Sequence, residues 1–193
     1  MKNNLGQFSS CSAVETPSLV ITKIHYNPQE TTEFPESNDQ EFIEIQNTGS
    51  TPVALTGIYL VKLGVSYQFP QNATLAGGKS VYLAGNATVF EQKYGFAPFD
   101  TFLRDLSNKS HHLVLADAFG NLIDQVAYAD SAPWPEEADG GGFYLELINV
   151  LADNSIASNW KASADGVLST TDFNTLPVDF SVYPIRQQLN CTS

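Results

Sequence analysis

The sequence has few basic residues and no long apolar run. Nine lysines and arginines stand against 21 acidic residues, which gives a formal net charge of −12. Affinity for nucleic acids and for anionic membranes depends on cations that neutralise phosphates, so this balance argues against both partners. No stretch of about 18 apolar residues is present, and we therefore predict no membrane span.

Cysteine is equally scarce, with Cys11 and Cys191 standing near opposite ends of the sequence. Two thiols without a CxxC spacing do not make up a structural zinc site. We expect two free thiols; the alternative is a disulfide between them, which an even cysteine count and an expected export route would allow. Phe8 to Cys11 resemble the end of a lipoprotein signal, but no apolar run precedes them.

Short alternating segments make up most of the rest of the chain. Residues 19–26 predict a first strand, and Ile43 and Ile45 alternate with Phe42 and Glu44 in a second. Turn-forming residues at 47–50 and a further extended run then predict a hairpin-like pair of strands over residues 40–60. Further strands are predicted at residues 81–84, 113–115, 122–128 and 143–147, the middle two joined as a hairpin through residues 117–120.

One segment, residues 88–94, predicts a helix. Thr88 stands at its predicted N-cap with Glu91 in the capping-box position, and Gly95 ends it. Many short strands without strand–helix–strand alternation predict an all-β fold, an antiparallel β-sandwich with this one short helix. We place the domain at residues 18–163, after a disordered leader at 1–17 and before a tail or linker at 164–193.

The predicted core of this sandwich is aliphatic. Ten residues of the alternating segments are expected to form one continuous cluster: Ile43, Ile45, Val53, Leu55, Leu60, Leu83, Leu115, Val126, Leu145 and Leu147.

Several segments together resemble the lamin tail domain in its bacterial secreted form. They are ITKIHYNP (21–28), EFIEIQNTGSTPVALTGIYL (41–60), VYLAGN (81–86), DAFGNLIDQVAY (117–128) and PWPEEADGGGFYLEL (133–147). Lys23 departs from the family pattern, in which an acidic residue is more usual. The resemblance implies an immunoglobulin-like β-sandwich that serves as an accessory module, and it implies no catalytic residues.

The loop between residues 130 and 142 is the strongest candidate metal site. Asp130, Glu136 and Asp139 precede three glycines, and calcium binds carboxylates and loop carbonyls of this kind. The spacing does not match an EF-hand loop, and aspartate before glycine is common in ordinary turns. Calcium is the one cofactor that we consider, and plain turn chemistry is the alternative.

Other residues invite a functional interpretation less strongly. His111 and His112 are adjacent in a predicted strand, so their side chains point to opposite faces and cannot share a metal. Trp134 lies between two prolines, and we expect it to pack on the sandwich, with an exposed ligand platform as the alternative. Phe96, Phe99 and Phe102 are expected to cover one end of the sandwich. No nucleophile elbow is present, and we expect no enzyme activity.

Two functions remain open at this point. The first is a non-catalytic interaction or accessory module of a secreted or cell-surface protein, with a protein or cell-surface partner and no nucleic acid. The alternative is a calcium- or carbohydrate-dependent domain that targets an attached hydrolase to its substrate. An acidic pocket would favour the alternative, whereas an exposed apolar edge would favour protein binding.

Overall fold

The computed structural model describes residues 16–61, 65–166 and 168. This part of the chain contains strands β1 (Leu19–His25), β2 (Phe42–Asn47), β3 (Val53–Ala54), β4 (Tyr59–Leu60), β5 (Tyr67–Gln68), β6 (Thr74–Leu75) and β7 (Ser80–Ala84), helix α1 (Ala87–Tyr94), and strands β8 (Asp100–Thr101), β9 (Ser110–Ala116), β10 (Leu122–Ala129), β11 (Phe143–Leu147) and β12 (Trp160–Ala164). Short 3-10 helices lie at Asn38–Gln40, Glu136–Ala138 and Ala157–Asn159. Cys11 and Cys191 lie outside the described residues, as do most of the predicted leader and tail.

The strands form two main sheets. A six-stranded sheet has the order β12-β11-β1-β2-β7-β8, and a four-stranded sheet has the order β10-β9-β4-β5. Strands β3 and β6 make a small separate pair. Described neighbours are antiparallel except for β7 and β8, which run parallel. The predicted all-β fold with one short helix, an immunoglobulin-like sandwich, is confirmed.

The core between the two sheets is the predicted aliphatic one. Nine of the ten predicted core residues belong to a single buried cluster, and Val53 packs against it half-buried. Ile43, Ile45 and Leu145 are fully excluded from solvent. Burial of about 25 cal/mol for each Å² of apolar surface makes this cluster the main source of stability.

The predicted hairpin over residues 40–60 is wrong. Strand β2 pairs with β1 and β7, whereas β3 pairs with β6. The Asn47 amide explains the change of direction, because it donates to the carbonyls of Thr51 (2.8 Å) and Leu75 (3.0 Å) and accepts from the Gly49 amide (3.0 Å). A buried side chain therefore holds the turn against β6 and leads the chain away from β2.

Both faces of β2 are buried. Ile43 and Ile45 face the sandwich interior, and Phe42 lies on the opposite face beneath α1. Its ring centroid is 5.8 Å from that of Phe90 in the helix and 5.5 Å from that of Tyr144 in β11. Aromatic pairs at these distances add to the energy of burial. The helix thus covers the outer face of the six-stranded sheet with a second, aromatic core.

The helix begins one residue earlier than predicted, and Thr88 is not its cap. Asn86 has extended backbone angles, and its side chain accepts from the amides of Thr88 (3.0 Å) and Val89 (3.3 Å). Asparagine is at least as good an N-cap as threonine, so Asn86 can cap the helix and Thr88 lies within its first turn. Gly95 ends the helix with a left-handed φ of 80°. Among the described residues, no helix has the length and apolar character needed to cross a membrane.

Candidate functional site

A groove of about 850 Å³ lies where the edges of the two sheets meet. Strand β5 is the edge of one sheet and β8 the edge of the other. Ser66 and Leu103 join them through two backbone hydrogen bonds of 2.9 Å each, and the Tyr67 hydroxyl donates to Asp100 at 3.0 Å. The lining combines apolar and uncharged polar side chains: Tyr59, Leu60, Val61, Ser66, Tyr67, Gln68, Thr101, Leu103 and Ala118.

Two large apolar side chains at this groove stand in water. Leu103 is 71% exposed and lines the groove; Phe119 is 90% exposed and follows Ala118, which also lines it. Burying one such side chain is worth about 1.5–3 kcal/mol, a free energy that folding leaves unused here and that a partner could gain by covering it. One exposed apolar side chain therefore lines the groove, and a second adjoins it in sequence.

The hairpin that carries Phe119 is held in a defined shape. The Asp117 carboxylate accepts from the amides of Phe119 (2.9 Å) and Asn121 (2.8 Å), and from the Asn121 side chain (2.7 Å). The side-chain hydrogen bond from Asn121, followed by those of the backbone, lowers the pKa of Asp117. Strands β9 and β10 pair on either side, which confirms the predicted hairpin. Phe119 is therefore presented on a rigid turn.

The three predicted calcium ligands each contact a protein group. Asp130 makes an ion pair with Lys109 (2.9 Å), Asp139 accepts from the Asn27 amide (2.6 Å), and exposed Glu136 accepts from the Ala132 amide (3.3 Å). Within the described ranges, no three histidine, cysteine, aspartate or glutamate side chains form a group that could hold a metal ion. Calcium binding at this loop stays a prediction.

The predicted aromatic residues lie in different places. Trp134 is 7% exposed and packs on Trp160 with ring centroids 5.8 Å apart, so the expected packing on the sandwich is confirmed. Phe102 belongs to the core between the sheets and Phe99 packs against it, whereas Phe96 packs against the aromatic core under α1. The three phenylalanines therefore do not form one cover.

The histidines do not share a site. His111 and His112 project to opposite sides of β9, and the His112 ring lies 3.1 Å from the Gln125 side-chain oxygen. His25 is fully buried beneath α1, where burial lowers its pKa to about 4 although the Asp165 carboxylate, 3.6 Å away, raises it. His25 is thus neutral at physiological pH.

A polar network that the sequence did not indicate surrounds His25. Asp165, in the turn after β12, accepts from the Tyr94 hydroxyl at 2.5 Å and pairs with Lys93. Lys93 also donates to the Gln40 side chain at 2.6 Å. These contacts join helix α1 to the end of β12 and to the segment before β2. Because the partners are separated by up to 72 positions, no local pattern signals them.

A second buried acid, Glu41, lies between the Asn38–Gln40 helix and β2. It is fully buried, and one of its carboxyl oxygens accepts from the Leu106 amide at 2.8 Å. The other oxygen has no hydrogen-bond partner among the described residues. Burial raises the pKa of Glu41 to about 9, against the opposing effect of the Leu106 amide. Glu41 therefore holds a proton at neutral pH, and its hydrogen bond with Leu106 serves the packing of the fold.

Comparison with protein families finds a match that includes most of the described strands. The sequence matches the Lamin Tail Domain family over residues 12–130, more than half of its length. The chain belongs to this family. No curated protein matches it. A solved structure of a DUF4876 family protein from Bacteroides thetaiotaomicron is similar at 13% sequence identity and a TM-score of 0.49, covering 88% of this chain and 74% of that one.

This lamin tail domain continues past the matched range. Strands β11 and β12 follow residue 130, and β11 pairs with β1 inside the six-stranded sheet. Leu145 and Leu147 of β11 belong to the main core, and Trp160 of β12 packs with them. The two strands are therefore integral parts of the described fold.

Proposed function

We propose that this lamin tail domain is a non-catalytic interaction or accessory module of a secreted or cell-surface protein, and that it binds a protein partner at the groove between β5 and β8. The observation that carries the proposal is the exposure of Leu103, which lines the groove, and of Phe119, which directly follows the lining residue Ala118. Aromatic side chains are enriched at protein interfaces, and they supply much of the binding energy.

The surroundings of the groove support the same function. Asp117 fixes the backbone of the turn that carries Phe119, so little backbone entropy is lost when a partner covers this turn. The net charge of −12 favours a soluble setting and a partner without phosphate groups. The family resemblance adds the expectation of a secreted or surface-attached parent protein.

Substitution of the two exposed residues tests the proposal. Phe119→Ser and Leu103→Ser leave the core untouched, and Leu151→Ser is the matched control because Leu151 is 79% exposed on a different loop. Proteins of the producing cell's envelope and medium would be captured on the three variants and the wild type. The captured partner would then be purified and its affinity measured by calorimetry.

The expected result is a loss of about 10- to 100-fold in affinity for Phe119→Ser, the equivalent of one buried aromatic side chain. Leu151→Ser should bind like the wild type. Equal binding by all four proteins, or an equal loss in the control, would show that the partner does not use this groove.

A further inference from the structure

Strand β12 forms an open edge of the six-stranded sheet. It pairs with β11 from Leu147↔Trp160 to Phe143↔Ala164, and in the described part of the chain no strand pairs with its other side. Lys161 and Ala164 are exposed, and the residues between them are half-buried. An edge strand of this kind presents unpaired amide and carbonyl groups that a further strand can join.

Strand β10, an edge of the four-stranded sheet, is contacted by other parts of the fold. Asp124 of β10 accepts from the Ile21 amide (2.7 Å) and from the Asn154 side chain (2.8 Å). Asn154 also donates to the Ile21 carbonyl at 3.2 Å. Strand β1 and the loop before β12 therefore lie against this edge, which leaves β12 as the more accessible of the two.

A row of alternating charges crosses the sheet and ends at β12. The register places Lys161 opposite Glu146, Glu146 opposite Lys23, and Lys23 opposite Glu44. The outer pair, Lys161 and Glu146, is joined at 2.9 Å, and Lys23 and Glu44 form the inner ion pair. The row thus runs positive, negative, positive, negative from β12 to β2 on one face of the sheet.

The inner members of the row are held firmly. Ser163 donates to the Glu146 carboxylate beside Lys161. Burial would raise the pKa of Glu146, but the hydrogen bonds from Ser163 and Lys161 and the charge of Lys23 hold it below its ordinary value. Glu44 lies almost fully buried on the outer face of the sheet. Lys161 at the edge, with its side chain 53% exposed, is the member of the row that a further strand could contact.

We propose that the open edge of β12 binds an extended segment of a partner protein, which pairs with it as a further strand and carries an acidic side chain opposite Lys161. Such a residue continues the alternation, and opposite charges directly across two strands stabilise their pairing. A lysine at an edge also disfavours indiscriminate pairing, because a basic residue opposite it is repelled. The residues of β12, Trp160 to Ala164, include no acid, so a second copy of β12 does not provide the matching group.

This surface is independent of the groove, since β12 and β8 are opposite ends of the same sheet. The test uses the whole chain labelled with nitrogen-15 and a short blocked peptide of alternating threonine and valine with one central glutamate. Amide shifts would be followed during titration with this peptide and with a matched peptide that has a central lysine. A third peptide, the glutamate version with alternate amides N-methylated, removes the hydrogen-bond donors but keeps the charge.

The expected result is saturable binding of the glutamate peptide, with shifts concentrated at residues 160–164 and at least about fivefold weaker binding of the lysine peptide. The N-methylated peptide should lose most of its affinity. Lys161→Glu should reverse the preference between the two peptides. Lys109→Glu should not, because Lys109 forms its surface ion pair with Asp130 at the end of the β9–β10 pair, in the other sheet's neighbourhood.

Several outcomes would overturn the proposal. They are shifts centred on the groove or elsewhere, equal binding of the N-methylated peptide, an unchanged preference in Lys161→Glu, and no saturable binding. Self-association through β12, measured by light scattering without peptide, would assign the edge to a second copy and would equally overturn it.

Discussion

Glu41 should make the domain lose stability as the pH rises from neutral. The folded state holds the Glu41 proton up to a pKa of about 9, whereas the unfolded chain releases it near the ordinary value of 4.5. Between these values unfolding releases a proton, so each increase in pH favours the unfolded state. The slope is about 1.4 kcal/mol per pH unit, or about 2 kcal/mol between pH 7 and 8.5.

The pH range separates Glu41 from the other buried titrating group near β2. His25 has a pKa of about 4 in the fold and 6.5 outside it, so its effect is confined to acidic solution and has the opposite sign. Above pH 7 His25 is mostly neutral in both the folded and the unfolded state, so it adds little to the slope due to Glu41. Urea unfolding followed by the fluorescence of the two buried tryptophans, at half-unit steps from pH 7 to 8.5, gives the free energy of unfolding at each pH.

Glu41→Gln is the decisive variant, because glutamine has the shape of the protonated acid and cannot titrate. Its side-chain oxygen can still accept from the Leu106 amide. We expect the stability of this variant to fall less steeply with pH than that of the wild type, by the slope given above. Glu33→Gln, at an exposed position before β2, is the control and should leave the slope unchanged. Equal slopes for wild type and Glu41→Gln would refute the assignment of a neutral Glu41.

Four further measurements follow. Ile45→Ala should lower the free energy of unfolding by roughly 2–5 kcal/mol in urea titration, and a change below about 1 kcal/mol would contradict its place in the core. His25→Phe should remove the part of the stability loss between pH 6.5 and about 4 that arises because the neutral buried histidine binds a proton on unfolding. A melting temperature that falls with decreasing pH as it does in the wild type would contradict this. If the loop with Asp139 binds calcium, a hundredfold excess over Kd should raise the free energy of unfolding by about 2.7 kcal/mol, and Asp139→Asn should remove most of this gain. Equal melting temperatures with and without millimolar calcium would indicate that the loop is an ordinary turn. Finally, mobility-shift titration at about 150 mM salt should show no DNA binding tighter than the micromolar range, and nuclease, esterase and phosphatase assays should show no turnover that one point mutation abolishes.

The strands and the main core were predictable because their signals are local. Alternation at Ile43 and Ile45 gives the face of β2, and the turn at Asp117 gives the β9–β10 hairpin. The direction of the chain after β2 was not predictable in this way. It depends on the contact of Asn47 with the Leu75 carbonyl, 28 positions away, which overrides a sequence that looks like a hairpin.

The two proposed binding surfaces were harder to predict from the sequence. The sequence shows Phe119 as a residue of a turn, but not that 90% of it is exposed. Leu103 lies at the groove because it pairs with Ser66, which is distant in sequence. The charge row that ends at Lys161 depends on the register of four strands whose residues lie far apart in sequence. One signal was available, since Lys23 departs from the family pattern at the strand position that now pairs with Glu44.

The burial of both faces of β2 has a consequence for how this strand finds its place. In most sheets a slip of one residue exposes apolar side chains to water, and that penalty fixes the alignment. Here Phe42 and Ile43 are buried on opposite sides, so a slipped β2 would still cover apolar surface on both. Glu44 supplies the missing discrimination, because a slip would drive its charge in among the aliphatic side chains and leave Lys23 without its partner. The Lys23–Glu44 ion pair and the hydrogen bonds of Asn47 at the end of β2 therefore set the alignment of this strand. Replacing Glu44 with an apolar residue should make the pairing of β2 less unique before it makes the domain less compact.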